Sequence, residues 1–387
     1  RTQAEMERVW RQVPQAEIFD ATGIQSIPFN TLYQLTALKS SQPWLLEQAA
    51  RILTIPDLLN YWLTGQQACE LTIASTTQML DVKSRTWAIP LLQRLGLPTH
   101  ILPGIIPAGT VLGPVNRRVA AENGLPVIPV VAPACHDTGS AVAATPLTSR
   151  NSVYISSGTW SLVGLELDAP CMSPDALAWN FTNECGADGT IRCLQNVMGL
   201  WLLQECRRTW LLEGKEFSYP QLEAMAEASA PFASFINPSH LDFLAPGSMP
   251  QRIEAFCSHT HQPAPHTPDE ITRCIFESLA LQYRFTIEQL KKMTGISPDV
   301  VHIVGGGSKN KLLCQMTANA CGCPVMAGPS EATALGNALM QARALGHIGS
   351  LAEGRAAIRA SFSPIVYQPQ EKQAWQDATG RFQKLLA

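Results

Sequence analysis

The chain has 387 residues, of which 46% are hydrophobic and 15% charged, and its formal net charge is −3. That balance leaves no basic footprint for nucleic acid, and a charged fraction below the roughly one quarter of ordinary globular chains argues against disorder. No run reaches the roughly eighteen uninterrupted apolar residues of a membrane span, so a soluble protein of roughly two or three domains is expected.

The 11 cysteines are odd in number, spread along the chain and without a CxxC pair, which suits reduced thiols in a cytoplasmic protein. Cys321-Gly322-Cys323 is too tightly spaced for a zinc knuckle, and pairing of Cys257 with Cys274 stays open. The chain starts at Arg1, and Ala4 to Val13 already reads as an amphipathic helix with no leader before it, so it is expected to begin inside a domain. Helices follow over Phe29–Lys39, Trp44–Ala50 and Pro56–Leu63, the last stopped by Thr64-Gly65. The apolar run Pro126–Ala134 reads as a strand that stops at Asp137, with helix again from Ser140 to Ala144.

From Ser152 onward the pattern changes. Val153–Ser156 and Trp160–Leu167 are strands around the turn Ser157-Gly158-Thr159, and a second hairpin centres on Ala187-Asp188-Gly189. A helix over Val197–Trp210 leads into a loop-rich stretch that ends at Pro265. Thr267-Pro268-Asp269-Glu270 is a capping box opening a long helix, with its apolar stripe on Ile271, Ile275, Leu279, Tyr283, Ile287 and Leu290 and its stop at Gly295. A strand over Val300–Val304, the loop Gly305-Gly306-Gly307, a helix over Ser308–Ala320, a strand over Pro324–Ala327 and a helix over Ser330–Leu345 complete an α/β signature.

Five stretches could carry chemistry. The triple glycine lies where a helix N-terminus favours phosphate, but Asn310 breaks a dinucleotide fingerprint and no Walker A loop occurs. Ser156-Ser157-Gly158-Thr159 is either an ordinary hairpin turn or a set of backbone N–H groups and hydroxyls that holds phosphate without lysine. Asp137 reads either as a helix cap or as a carboxylate held at a strand's C-terminal edge, where open α/β folds place ligands, with donors from His136 and Thr138. Asn183-Glu184 and Gln195-Asn196 offer groups suited to sugar hydroxyls or to turns. The histidines of Cys257-Ser258-His259-Thr260-His261 and His266 fit no standard metal spacing and read as a solvated loop. Neither GxSxG nor HExxH is present.

Several stretches occur together in the order found in one family. Phe29 to Leu35, Cys135 to Thr138, Ser156 to Leu162, Asn196 to Gln204, His302 to Gly307 and Glu331 to Asn337 resemble the FGGY family of carbohydrate kinases, most closely its rhamnulose-phosphorylating branch. The resemblance implies two actin-like (ribonuclease H-like) α/β domains closing on a cleft that holds sugar and MgATP. It implies residues 1–148 as the sugar-side domain and residues 149–387 as the ATP-side domain. By the same match Asp137 is the general base, His136, Asp137, Thr138 and Asn196 contact the sugar, and Thr159, Gln204 and Gly306 line the ATP site. No metal-binding side chain is implied, and Mg²⁺ arrives with ATP. The implied reaction converts ATP and L-rhamnulose to ADP and L-rhamnulose 1-phosphate.

Three departures accompany the match. Cys135 and Cys185 stand where relatives usually carry serine or glycine and glycine, which loosens the sugar assignment. An Asp-Leu-Gly-Ala-Ser-Ser-Gly-Arg-type phosphate loop and a Thr-Trp-Gly-Val-Asp-type strand do not occur. The first domain is therefore expected to lack its N-terminal strands, and the chain, if it is the whole natural product, to be inactive. A kinase for another ketose or polyol, and a non-catalytic nucleotide-binding fragment, are the competing readings.

Overall fold

Local sequence sets the helices of the N-terminal region in the computed structural model, which describes residues 2–386. Helices Gln3–Gln12, Thr31–Ser41, Pro43–Gln48 and Ile55–Thr64 fall on the four stretches expected to be helical, and Gln15–Thr22 is a further helix between the first two. Pro56 occupies the first turn of helix Ile55–Thr64, and Gly65 ends it at φ 80°, a left-handed conformation that costs glycine little. Met6, Val9, Ile18, Leu32, Tyr33 and Leu92 bury their side chains in a shared core.

The chain forms two compact units. One comprises Arg1–Ala144, Glu166–Leu194 and Ala332–Ile358; the other comprises Thr145–Leu165, Gln195–Glu331 and Arg359–Ala387. The first thus takes in two segments beyond residue 148.

Within the first unit, Ala68–Glu70 pairs in parallel with Gly104–Ile106, and Thr110–Pro114 pairs antiparallel with Pro129–Ala132. The latter strand is shorter than the apolar run Pro126–Ala134. The residues just before it, Leu125, Val127 and Ile128, are exposed. Thr182–Cys185 pairs antiparallel with Ile191–Leu194, so the turn around Asp188 is the hairpin its residues suggest. Helix Asp137–Ala144, whose residues after Asp137 are all buried, packs against helix Ala332–Ala344.

In the second unit, parallel strands Ser152–Ser157, Val300–Val304 and Val325–Ala327 stand side by side, flanked by Trp160–Leu167 and Ile365–Tyr367 in antiparallel pairing. All five residues of Val300–Val304 are buried, as expected of a strand covered on both faces. Helix Pro268–Thr294 has the capping box of Thr267 and Glu270, ends at a left-handed Gly295, and buries the whole expected stripe. It packs on helices Lys311–Cys321 and Tyr219–Ala228.

Two expectations are corrected, and the question left open at Cys257 and Cys274 is answered. Val197 and Met198 end the strand Ile191–Met198, and the helix begins only at Trp201. Short apolar runs do not distinguish helix from strand, and here sheet pairing decides. Cys257, Ser258 and His259 form the last turn of helix Met249–His259 and are not loop, while the His266 ring lies 3.0 Å from Glu254. All 11 cysteines are free thiols, including buried Cys257 and Cys274. Among the described residues no helix is long and apolar enough to cross a membrane.

Candidate active site

Asp137 is the first residue of its helix, and its side chain is 77% exposed. Oδ1 accepts from the Thr138 amide at 2.7 Å and the Thr138 hydroxyl at 3.4 Å. A cap would bond two or three residues onward, so this carboxylate does not act as an ordinary helix cap. Oδ2 has no hydrogen-bond partner among the described residues. Thr138 itself is buried, with its hydroxyl 3.4 Å from Asp137 Oδ1.

The loop that presents Asp137 is pinned from below. Glu70 is fully buried, caps helix Leu71–Thr76 through Thr72 N and Ile73 N, and accepts the Cys135 amide at 2.9 Å. The Thr72 hydroxyl donates to Glu70 at 2.5 Å and accepts the His136 amide at 3.0 Å. Asp57 accepts the Glu70 amide at 3.1 Å and the Thr54 hydroxyl at 2.6 Å. Burial pushes the Asp57 and Glu70 carboxyls up, and these hydrogen bonds oppose the shift. The Cys135 thiol is driven up by burial and by the nearby Glu70 and Asp57 charges, so it is neutral. Cys185 is buried and its thiol is raised for the same first reason.

His136 lies between Asp137 and a buried ion pair. Its Nε2 is 3.5 Å from Asp137 Oδ1, and its Nδ1 is 2.8 Å from Arg192 Nη2 and 3.2 Å from Glu184 Oε2. Arg192 and Glu184 stand opposite each other across the antiparallel strands and meet at 2.9 Å. Burial alone would raise the Glu184 carboxyl. The Arg192 guanidinium, with the His136 ring beside it, outweighs burial and holds the group below the usual carboxylate range.

Asn183, considered for sugar contact, is fully buried and occupied: its amide donates to Gly23 O and Cys171 O and accepts from the Cys171 amide. Glu184 is buried against Arg192 and His136 as an ion pair. Arg192, Glu70 and Thr72 were not singled out from the sequence. The available hint was an arginine inside the otherwise apolar run Ile191-Arg192-Cys193-Leu194, since a charge at a buried strand position requires a partner.

The nucleotide-side candidates group in the second unit. Gly158 N donates to Trp160 O, and the backbone amides of Gly199 and Trp201 donate to Thr159 O. The exposed Thr159 hydroxyl donates to Gln204 Oε1 at 3.2 Å. The triple glycine packs on the same turn. A Cβ at Gly305, where φ is 83°, would stand 2.7 Å from Ser157 O, and one at Gly307 would stand 2.6 Å from Ser157 Cβ. Gly306 alone is exposed, and nothing lies within 4 Å of a Cβ built there. Two glycines serve packing and the middle one leaves an open backbone surface. Asn196 is half-buried in its strand beside Gln195, whose side chain accepts the Thr286 hydroxyl at 2.7 Å. Among the described residues no group of three or more His, Cys, Asp or Glu side chains is arranged to hold a metal.

The profile of the FGGY family of carbohydrate kinases matches this chain twice, its N-terminal domain over residues 1–144 and its C-terminal domain over residues 153–345. A rhamnulokinase of Bacteroides thetaiotaomicron is 44% identical over 380 residues, covering 98% of this chain and 78% of that protein. One of Pectobacterium carotovorum is 45% identical over 388 residues, covering 100% and 76%. Among solved structures, a ligand-bound xylulose kinase from Lactobacillus acidophilus superposes with a TM-score of 0.81 at 20% identity, over 99% of this chain and 77% of that one. A Plasmodium falciparum glycerol kinase with ADP gives 0.79 at 16% identity, over 100% and 77%. The structural matches establish the α/β kinase fold. Together with the sequence matches they show that this chain belongs to the FGGY family of carbohydrate kinases.

Proposed function

We propose that the protein phosphorylates L-rhamnulose with ATP, giving L-rhamnulose 1-phosphate and ADP in L-rhamnose breakdown, with Asp137 as general base. The observation that carries the base assignment is the carboxylate itself: Oδ1 is tied to Thr138 and Oδ2 is open. A sugar hydroxyl is a poor nucleophile, and a positioned carboxylate that accepts its proton as it attacks the γ-phosphoryl assists the transfer. The choice of sugar rests on the two rhamnulokinases and their identity along nearly the whole chain.

In this reading residues 1–148 form the sugar side and residues 149–387 the nucleotide side, with His136, Asp137 and Thr138 of the former and Asn196 of the latter as sugar contacts. Thr159, Gln204 and Gly306 receive ATP: a hydroxyl, an amide and an open backbone surface suit polar nucleotide edges. Magnesium, bound with the nucleotide, supplies charge neutralisation at the phosphoryl oxygens. The site of action is the cytoplasm.

A substrate panel at fixed ATP tests the assignment. L-rhamnulose is expected to give the highest kcat/KM, ahead of xylulose, fuculose and glycerol; a higher value for any of these reassigns the sugar. Gly306→Ala tests the nucleotide side. Because a Cβ there meets no protein atom, the melting temperature should hold, while KM for ATP rises about tenfold, the loss of roughly one good contact.

A further inference from the structure

The ion pair behind His136 has no part in the reading so far. Glu184 and Arg192 are 5% and 0% exposed. Burying two charges costs several kcal/mol per ion, and well-packed apolar side chains often replace such a pair without loss of stability. Two apolar residues facing each other across these strands would pack the same space. They could not offer an N–H to the imidazole.

The geometry of that N–H decides where the ring proton lies. A guanidinium only donates. The shortest contact to the ring, 2.8 Å from Arg192 Nη2 to Nδ1, therefore requires the Nδ1 lone pair. A proton on Nδ1 would set two donors against each other at that distance, although Glu184 Oε2 at 3.2 Å could accept it. Glu184 Oε2 instead sits 2.9 Å from the same guanidinium nitrogen as its ion-pair partner across the strands, without hydrogen-bond geometry. Arg192 Nε donates to Cys185 O at 3.3 Å, which fixes the plane of the fork.

We propose that Glu184 and Arg192 are positioning residues that keep the ring proton of His136 on Nε2, aimed at Asp137 Oδ1, so that Oδ2 stays free for the sugar hydroxyl. The proposal rests on the reading of Asp137 as base. The same logic operates wherever a buried charged group selects a histidine tautomer for a catalytic neighbour. If the proton moved to Nδ1, the Nε2 lone pair would face the carboxylate and push it out of place.

The test is the tautomer itself, read from the ring ¹⁵N shifts of histidine-labelled full-length chain, with the His136 signals identified by their loss in His136→Gln. The unmodified protein should show the proton on Nε2. In Arg192→Met the proton should move to Nδ1 against Glu184, and kcat should fall about 10–100-fold with KM for ATP unmoved. A proton on Nδ1 in the unmodified protein overturns the proposal. So does a folded Arg192→Met protein that keeps both tautomer and kcat. If Arg192→Met does not fold, the unmodified spectrum still decides. Asp137→Asn with normal turnover would remove the base reading and leave the tautomer result standing, so the two ideas fail separately.

Discussion

Asp137→Asn is expected to lower kcat by about 10²–10⁴-fold while nucleotide binding and melting temperature stay unchanged. The substitution is nearly isosteric. Its carbonyl oxygen can keep the 2.7 Å hydrogen bond from the Thr138 amide, so the start of the helix retains its local geometry. What changes is the second position, where an NH₂ group replaces the oxygen that takes the proton. The loss corresponds to about 3–5 kcal/mol of transition-state stabilisation, at 1.36 kcal/mol per tenfold. The side chain is 77% exposed, so little folding energy depends on its charge. Steady-state ADP release and calorimetric titration with a non-hydrolysable ATP analogue separate the two quantities. Turnover within a few-fold of the unmodified enzyme would end the general-base assignment.

How far the sequence reveals this site follows from the range of the interactions that build it. Asp137, His136 and Thr138 are consecutive, and a strand running into a helix is visible in a dozen residues. The long helix was equally plain, because Thr267, Pro268 and Glu270 mark its start, Gly295 its end, and six apolar residues its buried face. Helix Tyr219–Ala228 carries the same kind of start, with Ser218 and Gln221 forming a capping box. Only Leu222 and Ala226 of it are buried, too few to stand out as a stripe. Helix Met249–His259 was hidden by its proline, histidine and serine content, which reads as loop.

The support around Asp137 is less legible because it is assembled across long separations. Glu70 and Thr72 reach the loop from 65 and 64 residues away, and Arg192 reaches His136 from 56. Nothing local distinguishes Glu70 from a solvated residue; its burial exists only once the fold has formed. Glu184 shows the converse case. The sequence marked it as a polar group in a promising place, and the fold commits it to a partner inside the protein.

Gly336→Ala is expected to destabilise the protein by about 3 kcal/mol or more, near the upper end of overpacking effects, and to lower the melting temperature by roughly 5–10 °C. A Cβ at this position overlaps the carbonyl oxygen of Ser140 and would stand 3.0 Å from its Cα. These are backbone atoms of helix Asp137–Ala144, so no side chain can turn aside to make room. The two helices must separate, or one must slide along the other. Thr333, one turn earlier, donates its hydroxyl to Asp137 O at 3.3 Å, so separation also reaches the presentation of the carboxylate. Turnover should therefore drop together with stability. Gly380→Ala supplies the control of opposite sign. It lies within helix Lys372–Leu386 with nothing within 4 Å of its added Cβ, and higher helix propensity should stabilise it by up to about 1 kcal/mol. Thermal melts of the two variants beside the unmodified protein test the contrast. A Gly336→Ala protein as stable as its parent would mean that the helices tolerate a wider crossing, and that Gly336 does not set the position of Asp137.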